Sequence, residues 1–566
     1  MLTKVNGHLK KWFSEGQRLE FLEEILFFAL LCVNSFYYVI KFFPLQTEFD
    51  IYDEGFYITF RGIYSNFLRS IDLGPLYHQW YVFLQWFNPD PIKIYLFTSV
   101  FLPATIGPLF YLFLRRFSYS RNQALLATLL LLFYPPLVTV DRYVHHFFAF
   151  MFFVLMLGVS FFRSERWRWF GYCSVYFIIT FIRPDTAASF AVIVLGYAFY
   201  SLVILKPLRI FSLVTSGTLF GLVLLQIFCF QTIGSEGAVR ELKSLGSFYD
   251  FNGRRHQLLN PQEKWDVKAV YGGAKTLTEA FSNNPKEFMA HITDATFKLF
   301  RQMVDVCLSY RIQSYSIWLI LGLLLVIHFF RNSKWKYKNL RQKGLSLLAI
   351  YLFFHAIIIS SIFFGSENRY LLGFILLLVS SIALLLPEES KSVGVTFVIA
   401  ALLVQCLTPV SINVKTEDAH YFTDSGGSLP GACNFWLEAL SSVRKIQVDS
   451  GFTSLKVWSR GSIADFLNLK NQEIYSDFGD PRGPEFPKGE ISMIRKNPAD
   501  YFDIAIRDDC PYWLGLFPKI QVDFIEDFYS KAEAYGFHRV ATACARGDVF
   551  VSDRLFKASL RSPARH

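Results

Sequence analysis

Charge is scarce in this 566-residue chain: Asp, Glu, Lys and Arg together make up 18%, against 53% hydrophobic residues, and the mean hydropathy is positive. That balance excludes a soluble enzyme, because one soluble core needs far fewer apolar residues than the chain carries. Metal-ligand spacing is missing, since none of the eight cysteines forms a C-x-x-C pair, and with it goes the common zinc framework. No small-residue cleavage site follows the first apolar run, about residues 21 to 43, so that run is expected to be a retained anchor and not a secretory signal. Internal repeats and low-complexity segments are also missing, and no N-x-S/T sequon falls on the segments expected outside the membrane. A large outer surface without sequons fits a bacterial periplasm better than an endoplasmic reticulum.

What is present is a succession of apolar runs. Spans of roughly 18 to 23 residues can be drawn at about 21–43, 93–114, 122–140, 146–162, 168–183, 186–205, 209–230, 312–330, 344–364, 370–387 and 393–410. That makes about eleven. The net charge of +10 invites a nucleic-acid partner, but the basic residues gather in short loops between the runs, which is how topology is fixed in a bilayer. Nucleic acid is therefore not expected. Lys4, Lys10, Lys11 and Arg18 precede the first span and favour a cytoplasmic N-terminus. Basic loops at Arg115, Arg116 and Arg121, at Arg163, Arg166 and Arg168, at Lys206 and Arg209, and from Arg331 to Lys343 all fall on the inner side of the resulting alternation.

Three long segments then land on the outer face. The first, about residues 44–92, contains an aromatic stretch from Leu76 to Phe87 whose Trp and Tyr content suits a helix lying in the interface. The second, about 231–311, turns helical from Pro285 to Leu308, where Phe288, Ile292, Ala295, Leu299 and Met303 recur at three- and four-residue intervals; a loop of this length is expected to act as a lid. The third, about 411–566, is long enough for a domain. Phe502–Ile506, Phe537–Ala541 and Asp548–Ser552 read as strands, and Phe524–Tyr535 as a helix ended by Gly536. The expected fold is thus a polytopic α-helical membrane domain over residues 1–410 and a small soluble α/β domain over 411–566. Cys433, Cys510 and Cys544 in the tail allow one disulfide, with its pairing open.

The polar residues at membrane level sort to one side. Asp50, Asp53 and Glu54 follow the first span; Arg142, His145 and His146 lie between the third and fourth; Arg183 precedes Pro184 and Asp185; and Arg369 follows Glu367 and Asn368. Charge at such positions is costly without a use or a partner. The inventory suits transfer of a sugar from a lipid phosphate. Guanidinium groups bind phosphate bidentately and keep their charge, so Arg183 and Arg369, with Arg142, His145 and His146 nearby, are candidates for holding the donor phosphate. A carboxylate among Asp53, Glu54 and Asp50 could take the proton from the attacking hydroxyl, and a divalent metal ion could supplement the positive charge. His145 and His146 point about 100° apart on a helix, so they cannot share one metal without partners from elsewhere. The plainer alternatives are ion pairs of Arg183 with Asp185 and of Arg369 with Glu367, or arginines that snorkel to headgroups.

Asp-Glu-Gly-Phe-Tyr at 53–57, Gly-Pro-Leu-Tyr at 74–77, Arg-Pro-Asp at 183–185 and Glu-Asn-Arg-Tyr-Leu-Leu at 367–372 together resemble the GT-C class of membrane glycosyltransferases, which includes bacterial aminoarabinose transferases of lipid A and protein O-mannosyltransferases. The resemblance covers about residues 1–410. It implies a polyprenyl-phosphate sugar as donor and an inverting transfer at the outer face of the bacterial inner membrane. The acceptor would be a lipid, a lipid-linked glycan or a protein, and the catalytic carboxylate would lie in the first outer loop, at Asp53 and Glu54. Gly74 stands where many relatives carry a His-Pro pair. The runner-up is a transporter or flippase of polyprenyl-linked glycans; transporters tend to show internal repeats and broken helices at mid-membrane, and neither is found here.

Overall fold

The computed structural model describes residues 15–42, 75–132, 143–162, 164–183, 186–203, 217–222, 248, 252, 267–308, 342–353, 371–384, 435–458, 472–474, 498–500, 502–508, 527–540 and 547–561. It is mostly helical, with one small sheet near the C-terminus. The larger part holds α1 (Glu15–Phe42), α2 (Pro75–Gln85), α3 (Pro91–Arg116), α4 (Arg121–Leu132), α5 (Val144–Ser160), α6 (Glu165–Ile179), α7 (Ala187–Val203), α8 (Leu277–Asn283), α9 (Pro285–Leu308), α10 (Gln342–Phe353) and α11 (Leu372–Ala383).

Among the described residues, α3 is the one helix both long and apolar enough to cross a membrane; Glu24–Ile40 within α1, Ser189–Phe199 within α7, and α5, α10 and α11 are shorter apolar helices. The runs expected at 93–114, 146–162, 168–183 and 186–205 fall on α3, α5, α6 and α7. Those at 312–330 and 393–410 lie outside the described residues, and several others are described only in part.

The start of α3 follows from its sequence. Asp90 is extended and its Oδ1 accepts from the Ile92 amide at 3.0 Å, Pro91 takes the first helical position, and Arg115 and Arg116 close the last turn. Each choice suits the helix dipole or an unsatisfied terminal amide. Pro103 and Pro108 sit inside α3, where a proline removes the amide that would bond the carbonyl four residues back. For Pro108 that carbonyl belongs to Ala104, and Ser35 of α1 donates its hydroxyl to it at 2.7 Å. A neighbouring helix thus repairs the ladder, as an apolar setting demands.

At the Arg116 end the helices are tied by polar contacts. Glu24 of α1 accepts from Arg115 Nε at 2.7 Å and from the Tyr111 hydroxyl at 2.6 Å. Lys343 of α10 is buried, donates to Gln123 Oε1 at 3.2 Å, and lies 5.8 Å from the centre of the Tyr119 ring. Burial pushes the Tyr119 hydroxyl up to about 12, against a hydrogen bond with Ser346 that lowers it, so Tyr119 stays neutral beside the ammonium. Aromatic packing fills the interior: Phe353 of α10 stacks on Phe148 at 4.3 Å and meets Phe152 at 4.7 Å, while Phe110 and Phe113 of α3 meet Phe153.

The C-terminal part comprises α12 (Phe435–Ser450), β1 (Lys456–Trp458), β2 (Gln472–Ile474), β3 (Ile504–Asp508), β4 (Phe537–Val540), β5 (Gly547–Ser552) and α13 (Asp553–Arg561). The sheet runs β2-β1-β3-β5-β4; β1 is parallel to β2 and β3, whereas β5 is antiparallel to β3 and β4. Side chains alternate across it as the pleat requires. Val457, Ile504, Ile506, Val549 and Val551 join the cluster of Ala439, Leu440, Val443 and Leu555 from α12 and α13, while Trp458, Ala505, Phe537 and Phe550 pack with Phe502, Phe528 and Ala532 on the other face.

The three expected strands are all present. The helix expected over 524–535 is instead a single turn at 527–530 and a 3-10 turn, Ala532–Tyr535, and the first three positions lie outside the described residues. The break falls at Lys531, whose φ of −120° is not helical; its amide is shared by the Asp527 and Phe528 carbonyls, both at 3.1 Å. The chain then reverses at Gly536, whose φ of 78° favours glycine.

The two parts meet at Asp90. Arg444 of α12 places Nη1 3.0 Å from both carboxylate oxygens of Asp90, the residue that caps α3. The sheet domain therefore sits at the Pro91 end of α3. Arg444→Ala should loosen this docking modestly, by about 0.2–1 kcal/mol as for a partly exposed pair. Asp90→Ala also deletes the cap and should cost about 1 kcal/mol more. Hydrogen exchange of the α12 and Ile92–Ile94 amides reads the two effects separately, and equal losses in both variants would mean the cap contributes nothing.

Candidate functional site

Two of the polar residues that sequence reading placed between the third and sixth spans, His145 and Arg183, are in contact. Helix α6 ends at Ile179, and the chain turns through Phe181 and Ile182 to Arg183, whose amide bonds the Ile179 carbonyl at 3.0 Å. The Arg183 carbonyl accepts from the Thr186 hydroxyl at 2.7 Å as the chain enters α7. This turn fixes the Arg183 backbone, and α5 supplies the partner for its side chain. Arg183 Nη1 lies 2.9 Å from Nε2 and 3.1 Å from Nδ1 of His145, the second residue of α5. An arginine offers only donors, so His145 accepts through an unprotonated ring nitrogen. Arg183 is half-buried and His145 buried.

His146 is buried as well but turns elsewhere, with its ring centre 5.7 Å from that of Tyr143. Adjacent helical positions diverge by about 100°, and the pair divides accordingly: His145 serves Arg183, and His146 faces an aromatic wall. That wall continues from Tyr143 to Tyr95 of α3 at 5.7 Å.

Helix α2 closes the site from a third side. Its Leu76 amide donates to the Phe181 carbonyl at 3.1 Å, two residues before Arg183. Tyr77, His78 and Tyr81 are wholly buried, and the two tyrosine hydroxyls lie 3.0 Å apart. Tyr77 packs on Phe147 of α5 at 5.3 Å; Trp80 donates Nε1–H to Thr98 Oγ1 at 3.1 Å and stacks on Phe101. The stretch was expected to lie in the interface, half wet, and its far end does show exposed Phe83, Trp86 and Phe87. Its first two turns are instead packed into the bundle. The signal was available in the sequence, because 77, 80, 81 and 84 share one helical face.

Of the residues singled out from sequence, Arg183, His145 and His146 fall among the described residues, and Arg183 and His145 are in contact. Asp50, Asp53, Glu54, Arg142 and Arg369 lie outside them, as do Asp185 and Glu367, the acids weighed as ion-pair partners. Among the described residues no group of three or more His, Cys, Asp and Glu side chains is placed to hold a metal ion.

The chain matches no protein-family model and no curated protein. Chemical reading therefore rests on the geometry. A guanidinium at the end of a helix pair, in contact with an imidazole, is the kind of fixed positive charge that attracts an anion. Where water is partly excluded, such donors gain strength.

Proposed function

We propose that the chain is a multi-pass membrane glycosyltransferase of GT-C type with about eleven spans. It would move a sugar from a polyprenyl-phosphate donor to an acceptor hydroxyl at the outer face of a bacterial inner membrane. The observation that carries this reading is the contact of half-buried Arg183 with buried His145, brought together where α5, α6 and α7 meet. An arginine so held suits a phosphate that must be bound before transfer and stabilised as it departs. The acceptor oxygen attacks the anomeric carbon, its proton passes to a carboxylate of the first outer loop, with Asp53 foremost and Glu54 and Asp50 beside it, and the bond from the anomeric carbon to the phosphate oxygen breaks with inversion. The departing lipid phosphate keeps the electron pair and stays against Arg183, with Arg369 and Arg142 as further cations.

A divalent cation would add to that charge. The Asp90–Arg444 contact supports a tail on the side of the acidic loop, because Asp90 marks the end of α3 opposite its basic Arg115 and Arg116. An N-terminus in the cytoplasm and a periplasmic tail are part of this proposal. Purified full-length protein in proteoliposomes, given a labelled polyprenyl-phosphate sugar and envelope lipid or glycan extract, should release polyprenyl phosphate and label an acceptor. Movement of label between leaflets with the phosphate bond intact would replace this reading with a flippase.

A further inference from the structure

Helix α9 has three faces. Taking about 100° per residue, Phe288, Ile292, Ala295, Leu299 and Met303 fall in one sector; Phe288 and Leu299 are buried and the others half-buried. Asp294, Lys298 and Arg301 fall in a second. Met289, Phe297, Phe300 and Val304 fill the third, and they are exposed by 52%, 69%, 65% and 38%. Two phenylalanines and a methionine held in water along one helix face are costly, at about 25 cal/mol per Å² of apolar surface.

The packed sector fixes how that third face points. Near its start, Phe288 stacks on Phe248 at 5.0 Å in a small core with Tyr271, Ala274 and Ala280, and Asn284 caps the helix by accepting from the Glu287 amide at 3.1 Å. Further along, Leu299 joins the same core cluster as α1 and α3 to α7, with Met303 against it.

We propose that α9 lies flat on the outer leaflet of the bilayer the chain spans, with Met289, Phe297, Phe300 and Val304 inserted among the acyl chains near the headgroups. The inference rests on the multi-span reading above. Two observations select lipid over other occupants. The face is continuous, through Leu299 and Met303, with the core built by the apolar helices. Exposed Lys286 lies within it and exposed Arg301 at its edge, where they complement the phosphates of an anionic membrane surface, while the side of the helix that carries Asp294 and Lys298 stays in water.

Hydroxyl-radical footprinting by mass spectrometry tests this on the full chain, in nanodiscs of phosphatidylethanolamine and phosphatidylglycerol that hold one copy each. After correction for intrinsic reactivity, Met289, Phe297 and Phe300 should oxidise about 10-fold more slowly than Val448 and Leu560, exposed residues of the sheet domain. Val33 and Ile40, exposed on α1, serve as the control for membrane insertion. Protection of α1 with full oxidation of α9 overturns the surface-helix proposal and leaves the membrane reading standing. Oxidation of both overturns the two together. Protection of α9 only in discs holding two copies gives the face to a second copy of the chain, and the proposal again fails.

Discussion

Arg183→Ala should lower transfer by about 10²–10³-fold and weaken donor binding with it, as expected for loss of a charged donor that contacts the phosphate before and during departure. Arg183→Lys should recover only part of the loss, because an ammonium cannot reproduce the planar fork of a guanidinium. The contact with His145 sharpens the expectation. Nη1 lies against the imidazole, and in the proposed site a lysine could not keep that contact and also present a planar fork to a phosphate. The competing account is an arginine that anchors at the headgroups or closes the turn before α7. That account predicts altered stability and unchanged donor affinity. Titration of a labelled polyprenyl-phosphate sugar against wild type and variant, beside thermal unfolding of each, separates the two; Arg183→Gln retains bulk and hydrogen bonding if alanine unsettles the turn. Unchanged affinity in a folded Arg183→Gln protein removes Arg183 from the donor site.

Much of the helical framework was legible because it is local. Pro285–Leu308 was read residue for residue from its apolar spacing, and the start of α3 is written in Asp90 and Pro91. The strands were visible as short apolar runs at 502–506, 537–541 and 548–552, and the structure has them at 504–508, 537–540 and 547–552, the first two residues further on. What escaped reading is contact between distant parts of the chain. Ser35 answers a carbonyl freed by Pro108, Gln123 receives Lys343, and Arg444 seats the sheet domain on Asp90. No local pattern announces such pairs, since each needs two elements brought together by packing. The site shows both sides of this. Arg183 and His145 were chosen for their side of the membrane, and their contact is a matter of how α5 and α6 pack. The turn that presents Arg183 was legible only as Arg-Pro-Asp, while the burial of Tyr77 and Tyr81 was overlooked because aromatic content was weighed above helical spacing.

Asp53→Asn should abolish transfer, by about 10²–10⁴-fold, the usual contribution of a positioned general base, while leaving donor affinity near wild type. Asparagine keeps the shape and the hydrogen-bonding reach of the carboxylate, yet it cannot take a proton from the acceptor hydroxyl. The leaving lipid phosphate is already a stable anion and needs no acid, so the whole burden of proton transfer falls on one carboxylate. Asp53 stands in Phe49–Tyr57, a segment with three acids within five residues directly after the first apolar run. Glu54→Gln and Asp50→Asn should therefore reduce the rate less, unless one of them is the true base. The pattern across variants is the informative part: Arg183→Ala loses affinity and rate together, whereas Asp53→Asn loses rate alone. Donor affinity unchanged and turnover intact in a well-folded Asp53→Asn protein would move the base to Glu54 or Asp50. Loss of donor affinity in that variant would instead recast the acidic loop as part of the binding surface, as expected where a cation bridges carboxylate and phosphate.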